Sequence, residues 1–182
     1  MELEKYLSVV EKKVGREADF FYTYNNGSDP EIRVFGFDDY PENGRFTYFS
    51  YGLHKLDKPE WKVGRPEYFL TIDSDNREFA MFLAYLLSVF STEKIMSWNT
   101  LIGISDGDAI EGFPYRRMAL GMPLYLNWEP YKLEPDNELP INFGMAFLIS
   151  NSDFELAKDR GFSFLTDKLD EDQDYWWKIK RT

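Results

Sequence analysis

The chain has 182 residues, a formal charge of −11, 43% hydrophobic and 18% aromatic residues, and no cysteine. That aromatic content excludes a disordered chain, and the length fits one domain over 1–182 with a substantial core. The charge argues against nucleic acid, whose phosphates need clustered Lys and Arg, and the missing cysteines exclude disulfides, thiol catalysis and cysteine zinc sites.

The N-terminal stretch MELEKYLSVVEKK is charged from its second residue and has no apolar run of signal-peptide type, so a cytoplasmic location is the expectation. Leu3, Tyr6, Leu7, Val10 and Val14 draw one apolar stripe along a helix, and Gly15 offers its stop. Asp19–Tyr24 is aromatic and β-prone, and Asn25–Pro30 is dense turn chemistry. Glu31–Phe37 and Arg45–Tyr51 read as strands joined through Asn43-Gly44, and Pro66–Ile72 is the next. On Arg45–Tyr51, Phe46 and Tyr48 share one face while Thr47, Phe49 and Tyr51 share the other. Aromatics on both faces predict cover on both.

Asp75 and Glu78 form a capping-box-like start to a helix over about 76–91. This helix is apolar almost all round, so it packs between layers. Its oily run, Phe79–Phe90, is too short to cross a membrane, which takes about twenty apolar residues. Met96–Met118 reads mostly as loop, Ala119–Trp128 and Pro140–Ile149 as strands, and Glu129–Pro140 as a polar link. Ser152–Glu155 repeats the capping-box pattern before a short helix that Gly161 ends, with further helical turns over 162–169. The fold class predicted is α+β: an α/β sandwich with a largely antiparallel or mixed sheet covered by helices.

Chemistry is sparse. The single histidine, His54, has no cysteine to partner it and no nucleophile elbow nearby, so it reads as a strand-end residue. One histidine makes no metal pair, and Asp73–Phe79 has Glu78 where a calcium loop needs glycine. The predicted catalytic, cofactor and metal sets are therefore empty. Asp106, Asp108 and Glu111 are the one carboxylate cluster that a hydrolase reading would use. Two aromatic-flanked acidic stretches are candidate partner-binding residues: Trp128, Glu129, Tyr131, Glu134, Asp136 and Glu138, and then Asp170, Glu171, Asp172 and Asp174 before Tyr175-Trp176-Trp177.

The Thr-x-x-x-Tyr-Gly-Leu-x-x-Leu pattern from Thr47 to Leu56 resembles the strand end of Suppressor of fused-like domains. Glu67 in RPEYFLTI is similar to that family's following Glu-hydrophobic strand, Phe79–Phe90 to its apolar helix, and Phe147–Leu169, with Glu155, Gly161 and Leu165, to its closing strand and helices. The resemblance spans about 30–170, and His54 stands just past the position where a small residue is usual. It implies function by binding, without catalysis or cofactor. Stand-alone bacterial members of this size look like immunity proteins that neutralise a cognate toxin, often a nuclease. An acidic partner suits the basic cleft of such a toxin. A housekeeping protein-binding module of the same fold is the alternative.

Overall fold

The computed structural model describes residues 1–25, 27, 31–92, 96–105, 113–123, 131–136, 138–172, 174–175 and 177–178. Helix α1 (Leu3–Val14) opens the chain and closes on Gly15 in the left-handed conformation. A meander follows: β1 (Phe20–Tyr24), β2 (Ile32–Asp38), β3 (Phe46–Tyr51) and, after a single 3-10 turn at Leu53–Lys55, β4 (Arg65–Ile72). Next come α2 (Glu78–Ser91), β5 (Thr100–Gly103), β6 (Arg117–Gly121), β7 (Lys132–Leu133), β8 (Ile141–Leu148), α3 (Asn151–Arg160) and α4 (Ser163–Glu171).

The described strands form one mixed sheet in the order β1-β2-β3-β4-β8-β6-β5, with β7 on the remaining stretch of β8. Every pairing is antiparallel except the central one, where β4 runs parallel to β8 from Arg65↔Ile141 to Leu70↔Ala146. Parallel strands demand a long crossover, and α2, β5 and β6 lie within it.

Both faces of the sheet are covered. One buries Val34, Tyr48, Tyr68 and Leu70 against α2. The other buries Phe35, Phe49, Phe69 and Phe143 beneath Tyr6 and Val10 of α1, Ala157 of α3 and Leu165 of α4. The alternation read from Arg45–Tyr51 holds: Tyr48 enters the first core, Phe49 and Tyr51 the second. Helix α2 is buried almost all round as its composition predicts, with Phe113 edge-on to Phe79 and tilted against Phe82.

Four expectations need correction. Residues 96–118, read as mostly loop, also hold β5 and the start of β6. Gly103 signalled a loop but is present for closeness: a Cβ there would lie 2.9 Å from the Arg117 side chain and 3.0 Å from Phe154. The strand expected over Ala119–Trp128 runs Arg117–Gly121, its far end lying outside the described residues. The polar link carries the two-residue strand β7, which pairs with β8. Both helix starts are shifted. Asn76 Oδ1, not Asp75, accepts from the Glu78 N–H, and Ser150, not Ser152, caps α3 by accepting from Asp153 N–H.

Candidate functional site

The ladder between β3 and β4 stops at Phe49↔Phe69, where the strands fork. The backbone N–H groups beyond the fork need other acceptors, since buried donors are seldom left unpaired. Glu67 supplies them from inside the fork. Its Oε1 accepts the Gly52 N–H at 2.8 Å, the His54 N–H at 3.0 Å and His54 Nδ1 at 2.6 Å. Its Oε2 accepts the Ser50 hydroxyl at 2.5 Å, and Ser50 Oγ in turn accepts the Tyr68 N–H at 2.9 Å.

Gly52 makes the turn possible. Its φ is +126°, and a Cβ would lie 2.5 Å from the Glu31 carbonyl oxygen. Helix α1 roofs the network: the Tyr6 ring stacks on His54 at 5.8 Å and 7°, and its hydroxyl donates to the Ser50 carbonyl at 2.8 Å. Burial, with the nearby Glu67 carboxylate, holds the Tyr6 hydroxyl well above the usual range, so it acts as a donor.

His54 is 1% and Glu67 0% exposed. A substrate cannot reach them, so the pair holds the fork together. His54 is a strand-end residue as predicted, and it is interior rather than surface.

The other face of the same strand end carries the opening. Tyr68 points opposite to Glu67 and helps line a cleft of about 370 Å³ with Trp61, Lys62, Val63, Met96, Trp98 and Asn142. Val63 is 83% and Trp98 48% exposed, whereas large apolar side chains normally turn inward. Gly144 permits the floor: a Cβ there would meet Tyr68 Cε1 at 2.3 Å and Trp98 Nε1 at 3.2 Å. The two faces are coupled. The segment that Glu67 pins at Gly52 and His54 runs on to Trp61, and the Arg65 guanidinium ties back to the His54 carbonyl at 3.1 Å.

Two of the residues lining this cleft carry a donor without an acceptor. Trp61 Nε1 and the Tyr68 hydroxyl are buried without a hydrogen-bond partner. Burial, with Glu67 behind it, pushes the Tyr68 hydroxyl far up, so it keeps its proton.

The sequence-predicted partner residues lie elsewhere. Trp128 and Glu129 fall outside the described residues, as do Asp106, Asp108 and Glu111 of the hydrolase reading. Tyr131 packs against the core under α1. Glu134, Asp136 and Glu138 are exposed and bound to Lys132, Lys5 and the Met1 amino group. Asp170, Glu171 and Asp172 are exposed at the end of α4, and the half-buried Asp174 pairs with Lys178. The flanking Tyr175 is buried and donates to Asp153 at 2.8 Å, which also receives Lys168 at 2.5 Å. Burial opposes the Asp153 charge, but bonds from Lys168, Tyr175 and Ser150 outweigh it and hold the carboxyl below its usual value. No group of three or more His, Asp or Glu among the described residues is placed to hold a metal.

Sequence reasoning missed the cleft. Its residues come from three separated stretches, and the pattern "EWKVGR" carried no motif. The one available signal was two tryptophans in polar loops beside a sheet edge.

Neither a family model nor a curated protein matches the sequence. Solved structures do. A Suppressor of fused homologue from Neisseria gonorrhoeae aligns with TM-score 0.72 and 20% identity over 98% of this chain and 94% of its own. A chain of the Sufu–Fu complex aligns with TM-score 0.69 and 12% identity over 99% of this chain and 90% of its own. Drosophila Suppressor of fused aligns with TM-score 0.62 and 13% identity over 95% of this chain and 48% of its own. The fold predicted from the Tyr-Gly-Leu strand end is therefore present.

Proposed function

We propose that this chain, folded as the Suppressor of fused homologues are, is a non-enzymatic member of that family that works by gripping another protein. The observation that carries this reading is the apolar cleft, walled by an exposed tryptophan and valine on a molecule whose other large apolar groups are mostly packed away. Such openings serve recognition. Its His–Glu pair is sealed and structural, so catalysis has no reachable base there. The Sufu–Fu complex shows one protein of this fold in an assembly.

The partner is a basic toxin domain, and the chain is its cytoplasmic immunity protein. A net charge of −11 speeds the approach of a basic partner by steering. Glu134, Asp136, Glu138, Asp170, Glu171 and Asp172 present exposed carboxylates on the α1/α4 side, and Trp128, Glu129, Tyr131 and Asp174 complete the contact set.

The test is co-expression with the product of the adjacent gene. Rescue of growth and co-purification of a basic protein support the reading. A neighbouring product that is harmless alone, with nothing basic retained on the immobilised chain, removes the toxin partner. Retention of a different, non-toxic protein selects the housekeeping binding module.

A further inference from the structure

The cleft between Trp61 and Trp98 carries more chemistry than apolar shape. Two residues on its lining, Trp61 and Tyr68, each carry an orphaned donor, N–H and O–H, on a side chain more than nine-tenths buried. Indole nitrogen can only donate. A buried donor without an acceptor is unfavourable, and an incoming acceptor relieves it. Neither atom meets water directly, so an incoming group reaches them by displacing a side chain. Trp98 is the one positioned for this: it is half exposed, and its indole nitrogen and the Tyr68 ring crowd the same glycine, Gly144.

Two charged side chains, Lys62 and Glu60, line the cleft, and Arg65 is held away from it by the His54 carbonyl and Asp57. Lys62 and Asn142 lie on the cleft itself and add donors.

We propose that this cleft captures the C-terminal residue of a partner protein, its apolar side chain against Trp98 and Val63 and its free carboxylate facing Trp61, Tyr68 and Lys62. A carboxylate offers two acceptor oxygens to the two stranded donors. Only at a chain end do an apolar side chain and a carboxylate belong to one residue, and a volume of about 370 Å³ suits one residue better than an extended strand. This rests on the protein-binding reading above and names what that binding takes hold of.

The probes are the peptide N-acetyl-Gly-Gly-Phe with a free carboxylate, the same peptide as its C-terminal amide, and 3-phenylpropionate. Each is titrated into the intact chain by tryptophan fluorescence. The free-acid peptide binds about tenfold tighter than the amide, and Tyr68→Phe and Trp61→Phe each weaken it about tenfold with little effect on the amide. Trp98→Ala weakens acid and amide alike. Tyr68→Phe removes one hydroxyl and keeps the ring, so it remains decisive if Trp61→Phe misfolds. Equal binding of acid and amide, no binding of either, or Tyr68→Phe without effect, overturns the proposal. Phenylpropionate binding as tightly as the peptide overturns the peptide source. Failure of partner capture with the acid–amide difference intact sinks the functional reading but not the site. Partner capture unaffected by Tyr68→Phe sinks the site alone.

Discussion

Removing the Glu67 side chain tests the fork directly. In Glu67→Ala the Ser50 hydroxyl can turn toward another acceptor, but the Gly52 N–H, the His54 N–H and the His54 ring N–H stay in the interior, since their shared acceptor is gone. Each stranded donor costs about 1–3 kcal/mol. The mutant avoids burying a charge, and water entering the new space offsets part of the loss. The net cost is about 4 kcal/mol, a large share of the roughly 5–15 kcal/mol that holds a domain together. Glu67→Gln keeps an acceptor oxygen for the backbone donors and fills the same volume, so its cost is about 1–2 kcal/mol, the difference between a charged and a neutral acceptor. Urea unfolding followed by far-ultraviolet circular dichroism measures both, with equal slopes required for comparison. A loss below about 1 kcal/mol for Glu67→Ala, or equal losses for the two variants, refutes the reasoning.

Gly52→Ala places a methyl 2.5 Å from the Glu31 carbonyl at φ +126°, and unfolding should show a loss of at least about 2 kcal/mol. Tyr6→Phe keeps the stack on His54 but drops the bond to the Ser50 carbonyl, a loss of about 1 kcal/mol in the same assay. Tyr68→Phe goes the other way: it deletes a stranded hydroxyl, so the unliganded chain gains up to about 1 kcal/mol, read as a higher urea midpoint. Asp153→Asn costs about 1–2 kcal/mol at neutral pH. The folded carboxyl titrates below its ordinary 3.8, so its contribution is complete above that pH and fades as pH falls through the folded value. The wild-type–mutant difference should therefore shrink on acidification, and a difference constant down to the acid limit contradicts the assignment.

Most of the fold was legible because its signals are local. Alternation on Phe46–Tyr51 assigned each aromatic to its layer, and the all-round apolar Phe79–Phe90 placed α2 in the interior. One error came where a glycine answered a tertiary demand. Gly103 makes room for Arg117 and Phe154 within β5 yet imitates a loop residue, just after Asn99 makes a true turn at φ +66°. The site was scarcely legible. Glu67 was noticed as part of a strand motif, but its bonds to His54 depend on the fork, which no spacing reveals. The cleft needed the parallel register of β4 and β8 before Asn142 could stand beside Tyr68. Acidic runs drew attention by composition, although several of those carboxylates are engaged by lysines of the same chain.

The parallel pairing of β4 with β8 has a consequence for how the molecule is made. Strands β1 to β4 can zip together as they leave the ribosome, each joining its predecessor. The seam with β8 waits until Ile141–Leu148 has been synthesised, and closing so wide an excursion is slow. Until then the inner margin of β4 stands unpaired, with Tyr68, Phe69 and Leu70 exposed. The nascent half-sheet is thus the stage at which this protein is most open to clumping, and chaperone dependence should track the delivery of its last strand.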